Sequence, residues 1–360
     1  MKLLLKVLIS LTSLLFFLIQ IEFALRLFKI PRKELVWSKY MISEYQPDSL
    51  LIYRVRPNLN IPWLTTDSNG FKTDSHIRND VKKVILVIGD SFVWGNTDFA
   101  YTYPQLLENL LSEKGLDFRV INAGVSGYGI DQEYILFNQE FDEIKPTIVI
   151  WNINLNDFLA EYQHSLFVEY KDHFFQIPAI LSGKYWAGVF SQLLPQFIYN
   201  KSLLTNFILS KVQNISLFQF KSEEEIENWS IRKAKFLLTK ADRKSKENGI
   251  KLYLFIVPNQ SIIENHSDKE KNVRLLYKIT HNLKNLHPVD MNKRIQLSIE
   301  NSYNSSNLLG AQSPNQSYFL DEHSWNPIGN WHPNELGNRK MAESAAETIV
   351  LDTIVSEFSF

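Results

Sequence analysis

Four short stretches of this 360-residue chain carry side chains that could act together on an acyl group. Gly89-Asp90-Ser91-Phe92 offers a hydroxyl. Asn122-Ala123-Gly124-Val125-Ser126-Gly127-Tyr128-Gly129 offers a glycine-rich turn with free N–H groups. Asn152-Ile153-Asn154-Leu155-Asn156-Asp157 offers carboxamides, and Trp331-His332-Pro333-Asn334-Glu335-Leu336-Gly337 offers an imidazole. An alcohol attacks a carbonyl only when a base takes its proton, and the resulting oxyanion needs donors already in place. Hydroxyl, imidazole, backbone N–H and carboxamide are that set.

Each residue also has a structural reading. Ser91 could cap a helix, since Ser is a common N-cap. Gly127 could serve only a turn, and Asn156 and Asp157 are good turn formers. His332 could be an ordinary interfacial histidine. Asp90 reads better as an acceptor for turn N–H groups than as an acid. Asp321, His323 and His332 could hold a metal, but the chain has no His-x-His or His-Glu-x-x-His pattern. The order Gly124-x-x-Gly127-x-Gly129 is not that of a dinucleotide fold. No cofactor and no metal is expected.

For these stretches to meet, something must bring them to one rim. Val84 to Ile88, Thr147 to Trp151 and Leu252 to Val257 are continuous apolar runs, the mark of strands buried on both faces of a parallel sheet. Arg119 to Asn122 and Pro288 to Met291 add shorter ones. Helical spacing from Tyr103 to Lys114, Asp131 to Phe141, Glu223 to Glu247, Asp268 to Asn285 and Asn334 to Asp352 alternates with them. This alternation predicts an α/β fold with a doubly wound, flavodoxin-like parallel sheet of about five strands flanked by helices. Ligands bind beyond the carboxyl ends of such strands, where the first three stretches begin.

The sequence resembles the SGNH/GDSL hydrolase superfamily over about residues 69–350, apart from an aromatic-rich segment. The four stretches stand in the order of the family's four blocks. The resemblance implies Ser91 as nucleophile, the Gly127 N–H and the Asn156 side chain as oxyanion donors, and His332 as base. Asn154 stands where the third block has Gly. The family usually has an Asp three, or in some members two, residues before its catalytic His; here those positions are Gly329 and Asn330. Asp321 is the nearest upstream Asp and could serve through a longer loop. The run from Asp321 to Gly329 carries its own Asp-x-His and resembles the last block with one residue inserted, which makes His323 the runner-up base. With no carboxylate in reach, the site would be a Ser–His dyad.

Composition narrows the class further. The net charge of −1 argues against a nucleic-acid partner. The absence of cysteine excludes disulfides, thiolate metal sites and thiol nucleophiles. Lys2 and Lys6 precede an uncharged run from Val7 to Ile21, which as a helix spans about 22 Å and nears the roughly 30 Å of hydrocarbon if Leu3 to Leu5 join it and Lys6 snorkels. Residues 1–33 are read as an uncleaved membrane anchor. A cleaved signal or a soluble amphipathic helix are the alternatives, although no Ala-x-Ala follows the run. Residues 34–80 read as an irregular wrap, and 81–357 as the hydrolase domain with an insert at 158–222. That insert is rich in aromatics such as Tyr162, Phe174, Trp186, Phe190 and Phe197. They could form a lid, extra core or a bilayer contact.

Two functions follow from these readings. One is a membrane-anchored serine esterase or O-acyl (acetyl) transferase with its domain extracytoplasmic (periplasmic), acting on envelope carbohydrate or lipid esters. The other is a catalytically silent binding or assembly module that keeps the fold, favoured by the missing Asp before His332.

Overall fold

The structure is a computed structural model that describes residues 2–35, 37, 39–74, 81–154, 157, 164–218, 220, 222–257, 279, 286–291 and 332–357. In chain order its first elements are α1 (Lys2–Leu27), α2 (Lys39–Glu44), β1 (Tyr45–Asp48), β2 (Ile52–Val55), β3 (Asn60–Ile61) and β4 (Leu64–Thr65). Then come β5 (Val84–Gly89), α3 (Ser91–Trp94), α4 (Tyr103–Glu113), β6 (Arg119–Gly124), α5 (Ile130–Ile144) and β7 (Ile148–Ile153). After β8 (Phe167–Tyr170) and β9 (His173–Gln176) follow α6 (Gly183–Leu193), α7 (Gln196–Lys201), α8 (Leu203–Gln213) and α9 (Glu223–Glu247). The last are β10 (Lys251–Ile256), β11 (Leu286–Asp290) and α10 (Glu335–Glu357).

The chain divides into two compact units. One comprises Met1–Val55 and Gln176–Gln219, the other Arg56–Phe175 and Phe220–Phe360. The second holds a five-stranded sheet in the order β11-β10-β7-β5-β6, with every pairing parallel. The first strand of this sheet in chain order, β5, lies between the second, β6, and the third, β7, so the strand order reverses beside β5 and opens a crevice beyond its carboxyl end. This is the expected doubly wound sheet.

Both faces of the sheet are covered, as the unbroken apolar runs require. On one face, Ile85, Val87, Ile150 and Phe255 pack with Leu107 and Leu111 of α4 and with Met341, Ala345 and Ile349 of α10. The alternate positions Leu86, Ile88, Val149, Trp151, Leu252 and Leu254 are also fully buried. Trp151 stacks on Phe137 of α5, with ring centroids 5.8 Å apart. Asp131 of α5 forms a buried ion pair with Lys233 of α9, at 2.5 Å, which joins those two helices at a polar point.

Element ends differ from the sequence reading by a few residues. Helix α5 extends to Ile144 where Lys145 closes it in a left-handed turn, and β7 runs on to Ile153 because Val149 to Ile153 pair with β10. The stretch expected to be an irregular wrap contains α2 and two hairpins, β1–β2 and β3–β4. Their strands are too short to show a period in the sequence, and cross-strand hydrogen bonds define them instead. The helix expected at 268–285 lies outside the described residues except for Ile279.

In the first unit, α1 is a helix of apolar residues. Within Leu3–Leu27 an 18-residue window has a mean hydropathy of 2.2, and the helix is long and apolar enough to cross a membrane by length and composition. Trp37 and Tyr45 are buried against Tyr53 in edge-to-face contacts. The Trp37 indole N–H donates to Lys184 O at 2.9 Å.

Candidate active site

Strand β5 ends at Gly89, and Asp90 turns the chain into α3. The Asp90 carboxylate accepts from the Phe92 amide at 2.9 Å, capping the one-turn helix. This fixes Ser91 at the first position of α3, directly beyond the carboxyl end of the strand. Gly124 of the neighbouring β6 lies under α3. A Cβ built there would sit 2.4 Å from the Trp94 amide nitrogen and 2.6 Å from Val93 Cβ. Only a residue without a side chain lets helix and strand approach this closely.

His332 comes from the other end of the chain. Asn334 follows it and accepts from the Gly337 amide at 3.0 Å, capping α10. The imidazole is buried and lies against the Phe92 ring, with centroids 5.2 Å apart. Its Nε2 is 2.8 Å from Ser91 Oγ. Two residues 241 positions apart are thus within hydrogen-bond distance, with Ser91 partly open to solvent. A hydroxyl held on an imidazole nitrogen can give up its proton as it attacks.

Gly127 lies in the turn after β6 with φ of 78°, a left-handed conformation that favours glycine. Its strand is paired with β5 through Gly89 and Gly124, so both turns leave the same edge of the sheet. Asn154 follows β7 and is buried, its amide donating to the Asp157 carboxylate at 2.6 Å. Asn156, Asp321 and His323 lie outside the described residues. Among the described residues no group of three or more His, Asp and Glu could hold a metal ion.

Two features of the site were not read from the sequence as such. The first is a set of buried carboxylates behind the nucleophile turn. Burial raises Asp90 to about 6, against hydrogen bonds from Phe92 and Ser91 that pull it down. Burial also pushes Glu133 of α5 well above the carboxylate range, with repulsion from Asp90 and Asp131 adding to it. Asp157 is raised likewise by burial and by the charges of Glu133 and Asp90. Glu133 keeps a partner in the Trp151 indole N–H at 2.8 Å. Asp157 could be seen in the third block, but nothing in the helical pattern of α5 marks Glu133.

The second is Lys72, a buried cation in the segment read as irregular. Its backbone bridges Asn122 of β6, and its ammonium donates to Gly95 O at 2.9 Å and Thr97 O at 3.0 Å. It thus holds the loop leaving α3. Thr97 Oγ1 in turn accepts from the Asn338 side chain of α10 at 3.3 Å, so one loop touches both the Ser91 helix and the helix that follows His332. A lone Lys between turns gives no hint of this.

A doubly wound sheet with a serine and a histidine in contact at its switch point is the geometry of an acyl-transfer site. Residues 85–345 match the family model of the GDSL-like lipases and acylhydrolases. The chain belongs to that family, and it is a hydrolase of ester bonds. A comparison with curated proteins finds no match. Among solved structures it is similar to TesA, at 14% identity and a TM-score of 0.41 over 74% of this chain and 98% of that one. It is similar also to the psychrotrophic esterase EstA from Pseudoalteromonas sp., at 14% identity and a TM-score of 0.40, with 74% and 97% covered. The acetyl xylan esterase AlAXEase gives 15% identity and a TM-score of 0.41, with 74% and 99% covered. The family assignment rests on the family model.

Proposed function

We propose that this chain is a membrane-anchored serine esterase or O-acyltransferase, with Ser91 as nucleophile and His332 as general base. The observation that carries this reading is the 2.8 Å contact between His332 Nε2 and Ser91 Oγ. His332 takes the hydroxyl proton as Ser91 Oγ bonds to the ester carbonyl carbon. The tetrahedral oxyanion is held by the Ser91 and Gly127 N–H groups and the Asn156 amide. Losing one such donor costs about 3–4 kcal/mol of barrier. His332 returns its proton to the leaving alcohol, and the acyl group passes to water or to a sugar hydroxyl. Asp321 is the proposed support for the imidazolium. A neutral residue in such a place orients the ring but does not balance its charge, and in serine proteases that change lowers kcat about ten-thousand-fold.

The anchor reading is supported by polar contacts near the end of α1. The Glu22 carboxylate accepts from the Leu203 and Leu204 amides at 3.1 and 2.8 Å, and from the Ser202 hydroxyl at 3.0 Å. Cleavage beyond Glu22 would remove the carboxylate that holds the first two amides of α8. An anchored chain with its domain outside the cytoplasm would meet envelope carbohydrate or lipid esters, which we propose as substrates.

The test is hydrolysis of p-nitrophenyl acetate and labelling by a fluorophosphonate, on full-length protein in detergent. Wild type is expected to show both and Ser91→Ala neither; a sugar acceptor added to the assay separates transfer from hydrolysis. Activity kept in Ser91→Ala would remove the nucleophile. A folded wild type inert in both assays would leave a silent binding module.

A further inference from the structure

Helices α6 and α8 are built inside out. Helix α6 turns Gly183, Ala187, Gly188 and Ser191 inward, while Trp186, Phe190 and Leu193 face outward, the last 75% exposed. Helix α8 buries Asn206, Ser210 and Gln213 beside Leu209 and exposes Phe207 and Ile208. On α7 between them, Phe197 is 68% exposed. A helix on a water-soluble domain places its large apolar residues on the covered face. Small residues at the helix contact with large apolar ones outward is the arrangement of helices in lipid. The inward contact is close: a Cβ on Gly183 would lie 2.0 Å from Val212 O of α8.

The same helices are fastened to the outgoing end of α1. Arg26 pairs with Glu22 at 2.6 Å and donates to Lys201 O at 2.7 Å, beside the Glu22 contacts with residues 202–204. Past α1, the Lys33 amide donates to the Asn206 side chain at 2.7 Å, and that side chain donates back to Lys33 O at 2.9 Å. Charge here is mostly basic, with Glu22 and Glu34 as acids among it. Residues 176–219 hold Lys184, Lys201 and Lys211 and no Asp or Glu, and Lys29, Arg32 and Lys33 follow α1. Basic residues beside exposed aromatics suit the boundary between anionic headgroups and acyl chains.

We propose that α6–α8 form a membrane-interface collar, fastened to the anchor by Glu22 and Arg26, which lays Phe190, Phe197 and Phe207 into the headgroup region of an anionic bilayer. The collar rests on the anchor reading. It would fix the orientation of this unit at the membrane, where a lone helix would leave it free to tumble. The occupant is lipid because the surface is continuous with a helix of membrane-spanning length, is basic, and packs its helices through small residues.

The chain has no cysteine, so single cysteines report one place each. Phe190→Cys, Phe197→Cys and Phe207→Cys carry a polarity-sensitive fluorophore in the full chain, reconstituted into phosphatidylcholine–phosphatidylglycerol vesicles. Leu8→Cys marks the anchor, and Lys114→Cys marks an exposed site on the catalytic unit. The expected result is blue-shifted emission at 190, 197 and 207, quenched most by nitroxides near the headgroups, with Leu8→Cys quenched most by deep nitroxides and Lys114→Cys by neither. Quenching at Leu8→Cys with water-like emission at the three aromatic positions overturns the collar and leaves the anchor. No quenching at Leu8→Cys overturns the anchor, and the collar with it. Blue-shifted but unquenched emission at the three positions means that protein, such as a second copy of the chain, covers them, and this also overturns the lipid assignment.

Discussion

Ser91 and His332 meet as a pair, and each is held by a neighbour: the proposed chemistry needs both. Asp90 caps the turn that aims Ser91, and Phe92 lies against the imidazole. The buried carboxylates behind them bind protons more tightly in the folded chain than in the unfolded one. Their stabilising contribution is therefore complete below the ordinary values of 3.8 for Asp and 4.5 for Glu. It is lost as pH rises through the raised values, about 6 for Asp90. Glu133→Gln keeps an acceptor for the Trp151 N–H but removes one charge from the set. Its stability is expected to fall less between pH 5 and pH 8 than that of wild type, measured as the urea midpoint at each pH. An identical pH dependence in the two proteins would mean that folding does not raise the proton affinity of Glu133, which would then be charged in both states across this range.

At the scale of elements, the site depends on how closely α3 lies on β6. Gly124→Ala would force the Trp94 amide and Val93 away, and Ser91 shares their single helical turn. A displacement near 1 Å can cost about 100-fold in rate. The variant is therefore expected to lose kcat by that order and to unfold at a lower midpoint as well, because buried backbone must move to admit the Cβ. Full activity in Gly124→Ala would show that the turn tolerates the shift. Lys72 works at this scale too, since it ties the loop after α3 to the edge of the sheet.

For the whole molecule, the two units follow different solvent logic. The unit that holds the sheet buries its apolar runs under helices on both faces. The other unit exposes Trp186, Phe190, Leu193, Phe197, Phe207 and Ile208 on α6–α8. A chain that begins at Lys29 loses α1 and the Glu22 contacts with α8 but keeps those outward residues. It is expected to need detergent to stay monodisperse, and to sediment with anionic vesicles. A monodisperse truncated chain that ignores vesicles would count against the inside-out reading.

The strands and covering helices were legible because apolar runs and helical spacing are local. The order of the four blocks was legible because a parallel sheet puts strand ends on one rim. The sequence also marked Ser91 and His332 singly, as a hydroxyl after a buried strand and an imidazole before a helix. It left His332 and His323 as rival bases, because separation along the chain says nothing of distance in space. Folding brought His332 Nε2 to 2.8 Å from Ser91 Oγ. It also buried Glu133 and Lys72, whose partners come from segments far along the chain. Composition alone made the aromatic segment equally a lid or extra core, with a bilayer contact as a third option. Only packing decided which side of each helix faces inward, because that depends on what the opposing backbone leaves room for.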